Sequence, residues 1–335
     1  MTNVTNKLKR LRPWIAAAVF ALAAFLVYRA LQPYSADEIV ASLRAISLRH
    51  VAFGLAFTAG SFLVLSASDT LAVRYTNKSV PYPKIALASF TSVSIGHALG
   101  FAALSSGALR YRFYTAWGLS RGDVGRVMLF CGLTAMLGMT TLAGIASTAR
   151  PALLAELFGV GEAVVVALGA ALLVAVAAYL GLAAWMRRPI RIRRFELPMP
   201  RLPLALGQIA VGTTDMLLVS AVLHQMLSAS ADVHYLAIAT AYVSGNIAAV
   251  IAHVPGGLGV VEAVILSLVP GAQVVGALIA FRAIYYLLPF ALGCLTFAAV
   301  EIMRRRRKRI VNDSPARLDS RAAGTPCRRR EGSPR

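Results

Sequence analysis

Apolar residues in this chain come in long unbroken blocks, not in the every-second-residue alternation of a half-buried strand. A membrane-crossing helix needs about 20 consecutive, mostly apolar residues. Blocks of that order occupy Trp14–Leu31, Val51–Val73, Lys84–Leu104, Val124–Thr148, Ala163–Met186, Leu202–Leu227, Tyr235–Val254 and Val274–Ile302. A shorter apolar piece, Leu258–Val269, lies between the last two. A transmembrane barrel would instead repeat segments of about ten alternating residues. The pattern predicts an all-α polytopic membrane protein. Beyond Ile310 the apolar periodicity stops and Arg, Ser and Pro take over, which reads as a disordered tail.

Composition narrows the class further. The 335 residues are 58% apolar and 14% charged, with a mean hydropathy of +0.68. An average soluble domain has about 45–50% and about 25%. That gap excludes an ordinary soluble enzyme, a secreted disulfide scaffold and a disordered protein. The net charge of +20 concentrates in residues 1–12, in the loop 187–201 with its six arginines, and in the tail 304–335. A nucleic-acid surface would need a soluble domain to display it, whereas cytoplasmic loops of membrane proteins carry such an excess as a rule. No nucleic-acid partner is expected. Cys131, Cys294 and Cys327 lie far apart, with neither zinc-ligand nor disulfide-framework spacing. The basic start followed by Trp14–Val27 has the shape of a signal sequence. The small-residue site around Tyr34-Ser35-Ala36 is poorly formed, so an uncleaved first span is expected.

Eight crossings from a cytoplasmic N-terminus would put the six-arginine loop outside. Comparing the chain with itself at an offset of 150 residues resolves this. A gap-free weak match runs through Val93–Val124, with identities at Val93/Val243, Ser94/Ser244, Ala98/Ala248, Ala102/Ala252, Gly107/Gly257 and Val124/Val274. Each copy reads as an apolar limb, a small-residue break and a second limb, the breaks being Ser105-Ser106-Gly107 and Pro255-Gly256-Gly257. Taken as re-entrant hairpins near 84–121 and 235–272, they leave about six full spans, eight helical membrane segments in all. Every strongly basic segment then becomes cytoplasmic. The hairpins enter from opposite faces, the plan of an inverted repeat. Residues 1–13 and 304–335 are then cytoplasmic, 14–303 form the membrane domain, and the setting is a bacterial inner membrane. Irregular backbone at membrane depth is tolerated where protein buries it or water lines it, so both breaks should face an internal cavity.

Ionisable residues inside a span cost about 2.5–3.5 kcal/mol each on insertion scales. Asp215, in mid-span, is read either as a packing hydrogen bond with Thr213 or Thr214 or as a contact for a ligand cation. Arg282, deep in the last span, is read as an ion pair, with Asp215 as candidate partner, or as a substrate contact. Glu262 follows the second break in a first helical turn, where the helix dipole favours a carboxylate. Asp69, near Arg74, is read as an interfacial pair with it. His97 and His253 are packing residues or proton relays. Asn246 and Ser244 present an amide and a hydroxyl to a ligand or simply join helices. Arg110 and Arg112 flank Tyr111 in the run ALRYRFYTAWGLS. Guanidinium forks pair bidentately with phosphate, and backbone N–H groups at a helix start add donors. That reads as a lipid-phosphate clamp, set against simple positive-inside anchoring with Tyr114 and Trp117 as interfacial aromatics. No GxGxxG, Walker lysine, HExxH or GxSxG pattern is present. No catalytic residue, cofactor or metal is assigned, and the chain reads as transporter-like rather than an enzyme.

At SGALRYRFYTAWGLS (106–120) and HVPGGLGVVEAVIL (253–266) the sequence resembles the lysylphosphatidylglycerol synthase transmembrane-region family. That is the flippase-like membrane domain of the multiple peptide resistance factor. The resemblance covers about residues 10–305. In the full-length family member a cytoplasmic domain attaches lysine or alanine to phosphatidylglycerol, and the membrane domain moves the product outward, lowering surface charge and repelling cationic antimicrobial peptides. This sequence carries no such transferase domain, so synthase activity is not expected of it. The resemblance carries over to Arg110, Arg112, Gly256, Gly257 and Glu262. It implies a translocase for phospholipid or aminoacylated phosphatidylglycerol, with Arg110 and Arg112 on phosphate and Asp215 or Glu262 on an ammonium. Two alternatives stand beside it: a membrane subunit or scaffold for a separate lipid-modifying enzyme, and an isoprenoid-phosphate-linked carrier. Expected partners are membrane phospholipids, a separate lipid-modifying enzyme and further copies of the chain in a homo-oligomer.

Overall fold

The computed structural model describes residues 46–99, 102–186, 190–192, 195–229, 231–251, 259–269 and 272–322, together with Asp37, Ala41 and Arg44. Its elements are α1 (Leu48–Tyr75), α2 (Tyr82–Leu99), α3 (Ala102–Ala116), α4 (Arg121–Ala149), α5 (Pro151–Phe158) and α6 (Glu162–Trp185). A two-stranded antiparallel ribbon follows, β1 (Ile190–Ile192) with β2 (Phe195–Leu197). Then come α7 (Leu202–Leu227), α8 (Tyr235–Ile251), α9 (Val260–Leu268), α10 (Ala272–Arg282) and α11 (Leu288–Ala322). A π-helical turn, Ala283–Leu287, joins α10 to α11. The expected first span Trp14–Leu31, His253, the Pro255-Gly256-Gly257 break and residues 323–335 lie outside the described residues.

Among the described residues, five helices are long and apolar enough to cross a membrane: α1, α4, α6, α7 and the run Val274–Arg305. The chain is a polytopic α-helical membrane protein, and its polarity is distributed accordingly. Ser61, Asp69, Ser89, Thr91, Ser92 and Gln208 are fully buried, while Leu168, Val174 and Trp185 on α6 are 60%, 66% and 87% exposed. Lipid can solvate the apolar exterior but not polar groups; Asp69 and Gln208 find partners inside, while the hydroxyls of Ser89, Thr91 and Ser92 on α2 make no hydrogen bond among the described residues. Residues Met1–Gly293 form one compact unit, which holds all the contacts described below; Cys294–Arg335 form a second. In that second unit Arg305 Nε reaches Glu301 Oε1 at 3.2 Å, one helical turn back.

Within the first unit α7 is central, packed by α1, α4, α6, α8 and α10. It runs antiparallel to α1: Gly54 lies against Met226, Ser61 meets Asp215, and Gly207 lies against Leu71. It runs parallel to α4, whose Phe130 carbonyl accepts from Gln208 Nε2 at 3.3 Å and whose Gly138 abuts Gly212. A Cβ on Gly138 would sit 2.1 Å from the Gly212 carbonyl carbon, and one on Gly212 would sit 2.2 Å from the Thr134 oxygen. The two backbones therefore touch, the close approach that small residues permit between membrane helices. Sequence also fixes where α4 begins. Ser120 Oγ accepts from Asp123 N at 3.1 Å and Asp123 Oδ2 accepts from Ser120 N at 3.3 Å, a reciprocal capping box.

Element order is duplicated. A long helix, two shorter ones and a long helix (α1–α4) are followed, after α5, α6 and the ribbon, by the same series from α7 to α10–α11. The 150-residue offset that aligns Val93–Val124 with the second half also superposes the range of α1 on that of α7. The chain departs from expectation in four places. Ser105-Ser106-Gly107 do not form a break: they lie inside α3, and a Cβ on Gly107 would meet Met128 Cε at 2.2 Å, so Gly107 serves close packing on α4. The helix after the last span continues to Ala322 instead of ending near Ile310, in keeping with the helix propensity of its Arg and Lys run. The short α5 and the ribbon were not expected, being only 8 residues long and 3 residues per strand. The ribbon pairs Ile190 with Leu197, Arg191 with Glu196 and Ile192 with Phe195.

Candidate functional site

Among the described residues, three polar assemblies are built on Asp69, Asp215 and Glu262. The first joins α1 to α3. Arg110 donates from Nε to Asp69 Oδ1 at 2.9 Å and from Nη2 to Oδ2 at 2.8 Å. Tyr114, one turn further along α3, donates its hydroxyl to Asp69 Oδ1 at 3.0 Å. The Asp69 side chain is fully buried and that of Arg110 is 10% exposed. Fork-to-fork pairing of this kind satisfies both charges with directed, charge-assisted bonds. It corrects the expectation that Asp69 pairs with Arg74. Residues five apart on a helix point about 140° away from each other, so Arg74 faces away from Asp69 whatever their nearness in sequence.

The second assembly lies at the middle of the α1–α7 contact. Ser61 Oγ donates to Asp215 Oδ1 at 2.5 Å, and the same hydroxyl stands 3.0 Å from the Tyr285 hydroxyl of the π turn. This corrects the partners expected for Asp215. Its hydrogen bond comes from another helix and not from Thr213 or Thr214, and its neighbours are hydroxyls and not Arg282. The π turn itself has a local cause. Pro289 has no N–H to close an ordinary turn, and the Leu288 N–H reaches back five residues to the Ala283 carbonyl. That extra residue per turn sets the direction of Tyr285 and Tyr286.

The third assembly joins α9 to α10. Arg282 Nε donates to Glu262 Oε1 at 2.8 Å, and Nη2 approaches the same oxygen at 2.6 Å. Glu262 Oε2 accepts from Gly259 N at 2.9 Å, so the carboxylate caps α9 and holds the arginine at once. The guanidinium carbon of Arg282 lies 4.7 Å from the Tyr286 ring centroid, in a cation–π contact. His97 of α2 stands near the second and third assemblies, its ring 6.2 Å from Tyr285 and 6.3 Å from Tyr286. Its buried Nδ1 makes no hydrogen bond among the described residues.

Of the residues singled out from sequence, Glu262 and Arg282 come together, while Arg110 and Asp215 take partners not foreseen for them. Arg112 is half-buried on α3. Asn246 donates Nδ2 to the Tyr242 carbonyl of its own helix at 2.8 Å. Gly256 and Gly257 lie outside the described residues. Sequence reasoning missed Ser61, Tyr285 and Tyr286, and it offered Tyr114 as an interfacial aromatic, whereas the residue is fully buried with its hydroxyl on Asp69. The signal for Ser61 was present, since Thr58, Ser61 and Ser68 put hydroxyls inside an otherwise apolar span. Two adjoining cavities of about 460 and 430 Å³ share Phe57 and Gln225. Arg49, His50, Phe53 and Ser228 complete one, and Thr214, Leu217, Leu218 and Tyr235 are among those lining the other. Both lie toward the α1 N-terminus, and Arg110, Asp215 and Glu262 line neither; the charged groups are packed against protein.

No family model matches the chain. Two similar proteins place it. The uncharacterized protein slr0712 of Synechocystis sp. is 30% identical over 309 residues, covering 91% of this chain and 96% of that protein. The inner membrane protein YbhN of Escherichia coli is 29% identical over 252 residues, covering 73% of this chain and 78% of that protein. The chain belongs to the family of polytopic membrane proteins that includes slr0712, to which YbhN is more distantly related.

Proposed function

We propose that the protein is an inner-membrane translocase for phospholipid headgroups, with zwitterionic or aminoacylated phospholipids as the substrate class. One observation carries the reading: arginine forks buried in the bundle, each held by a carboxylate, at Asp69–Arg110 and Glu262–Arg282. Phosphate competes with carboxylate for the same planar fork. Once phosphate takes the arginine, the released carboxylate is free to accept an ammonium. A headgroup carrying both signs can therefore enter by exchange, keeping every buried charge paired, while its acyl chains stay in the bilayer. Isolated buried charges would be prohibitive, so a headgroup of one sign is disfavoured by the same argument.

The topology that suits this has two re-entrant hairpins inserted from opposite faces, six full spans and both termini in the cytoplasm. In its support, α1 and α7, which correspond under the internal repeat, run in opposite directions. The 9 residues of α9 cover about 13 Å, against a hydrocarbon thickness of about 30 Å. The resemblance at the LRY and PGGLG runs and the inner-membrane location in the name of YbhN point the same way. No chemical step is assigned to any residue.

The test is reconstitution in liposomes containing headgroup-labelled phosphatidylglycerol or lysyl-phosphatidylglycerol, with an added quencher reporting which leaflet holds the label. Wild-type protein should equalise the leaflets faster than protein-free vesicles, lysyl-phosphatidylglycerol ahead of phosphatidylglycerol, and Arg110→Ala should abolish the gain. Movement no faster than in protein-free vesicles would remove the translocase reading for these lipids and favour a scaffold for a separate lipid-modifying enzyme.

A further inference from the structure

Among the described residues, Asp123 caps α4 beside Arg126, and arginines hold two deeper carboxylates, Asp69 and Glu262. Asp215 differs. It sits at the middle of α7, is 5% exposed, and has no cationic partner among the described residues. Ser61 on α1 supplies a neutral hydroxyl, the π turn supplies Tyr285, and Tyr242 of α8, bonded to Tyr286, lies within electrostatic range of the carboxylate. Among the described residues, α4 and α6 turn no charged side chain on Asp215, and Arg282 at the end of α10 is engaged by Glu262 and Tyr286. A permanent, unpaired negative charge at this depth is strongly unfavourable. A proton removes that charge without breaking an ion pair, which neither Asp69 nor Glu262 can offer.

The neighbouring hydroxyls let such a proton move. With Asp215 ionised, Tyr285 donates to Ser61 and Ser61 donates to the carboxylate, across 3.0 and 2.5 Å. With Asp215 protonated, its O–H donates to Ser61, Ser61 donates to Tyr285, and the file reverses. A proton arriving at Asp215 therefore rotates the two hydroxyls; when Tyr285 then passes its own proton on, the Ser61 proton shifts to Tyr285 and the Asp215 proton to Ser61, which restores the ionised state with no displacement of heavy atoms. His97 of α2 packs its ring 6.2 Å from that of Tyr285, its buried Nδ1 unpartnered among the described residues, and Arg110 of α3 is the charged group that faces it. A metal cation fits less well. The 2.5 Å contact leaves no room between the two oxygens, and both residues lie in unbroken helices whose carbonyls are engaged.

We propose that Asp215, Ser61 and Tyr285, continued by His97, form a proton-carrying site through which translocation is coupled to proton movement across the membrane. The coupling rests on the translocase reading; the proton site does not.

Proteoliposomes with a pH-sensitive dye inside and labelled lipid in the bilayer read both at once. Under an imposed pH gradient, wild-type protein should acidify the lumen well above protein-free vesicles. Asp215→Asn should reduce that at least tenfold. Ser61→Ala and Tyr285→Phe, which keep the carboxylate but cut the file, should reduce it severalfold, each variant first shown by circular dichroism to be folded. Proton uptake equal in wild type and Asp215→Asn, or absent from wild type, overturns the proton site. Lipid movement indifferent to the gradient overturns the coupling and leaves the translocase standing. Proton uptake with no lipid movement leaves the proton site standing and removes the translocase.

Discussion

Asp69 and Arg110, 41 residues apart in the chain, meet edge to edge with both carboxylate oxygens engaged, at 2.9 and 2.8 Å. The contact fixes α3 against α1 and leaves neither charge unpaired. Removing one partner strands the other in a medium without water, at a cost of about 3–5 kcal/mol in buried pairs. Arg110→Ala and Asp69→Asn should each lower the thermal unfolding midpoint in detergent. Asp69→Leu combined with Arg110→Met should recover most of that stability, because no charge is left behind. If the pair also binds headgroup phosphate, the stable double variant will still move no lipid. Stability and transport measured on the same three proteins separate the two roles.

Glu262 has two duties that substitution can divide. Glu262→Gln keeps an oxygen to accept from the Gly259 N–H but loses the charge that holds Arg282. We expect α9 to remain capped, the unfolding midpoint to fall as Arg282 loses its counter-charge, and lipid movement to fall by at least tenfold. Glu262→Ala, which loses the cap as well, should unfold more readily by about a further 1 kcal/mol. Thermal melts of the two variants side by side check the ordering.

Pro289 holds the turn that aims Tyr285 at Ser61. Pro289→Ala restores an N–H and allows the ordinary four-residue ladder to run through, turning Tyr285 away from Ser61. The variant should be at least as thermally stable as the wild type and poorer in proton uptake. A variant with unchanged uptake would show that the π turn is not what places the hydroxyl.

Backbone contact between α4 and α7 predicts a sharp positional contrast. Gly138→Ala and Gly212→Ala place a Cβ about 2 Å from backbone atoms of the facing helix and should destabilise by about 1–3 kcal/mol or more. Gly125→Ala and Gly132→Ala, on the same α4 with nothing within 4 Å of the added carbon, should be neutral or slightly stabilising. Size-exclusion profiles and melts in detergent distinguish these outcomes.

Membrane sidedness can be read by labelling. With the three native cysteines replaced, Ile190→Cys should resist a membrane-impermeant thiol reagent added to spheroplasts and Asp232→Cys should react. Labelling at position 190 from outside would overturn the re-entrant arrangement.

Much of the fold was legible because membrane helices announce themselves by length and apolarity alone. Residues 202–227 were read to the residue and 162–185 within one. The breaks were harder, since Ser105-Ser106-Gly107 combines residue types that permit a turn and equally permit close helix packing; Met128, far along the chain, decides between them. Costly residues such as Asp215, Arg282 and Glu262 stood out individually, because a charge in an apolar block is conspicuous. Their partners did not. Pairing depends on which helices lie side by side, and neither Asp69 with Arg110 nor Asp215 with Ser61, 154 residues apart, leaves a local trace. Tyr285 was hidden for a further reason: its direction follows from Pro289 only through the irregular turn that proline imposes.

The touching backbones of Gly138 and Gly212 also restrict how the two halves of the bundle can move. Pulling α4 from α7 would open a void along both helices, and sliding one past the other would drive Cα atoms into carbonyl oxygens. Rotation about the point of contact incurs neither penalty. The seam therefore has the mechanics of a hinge pin, and a bundle held this way rocks about that point more readily than it parts there.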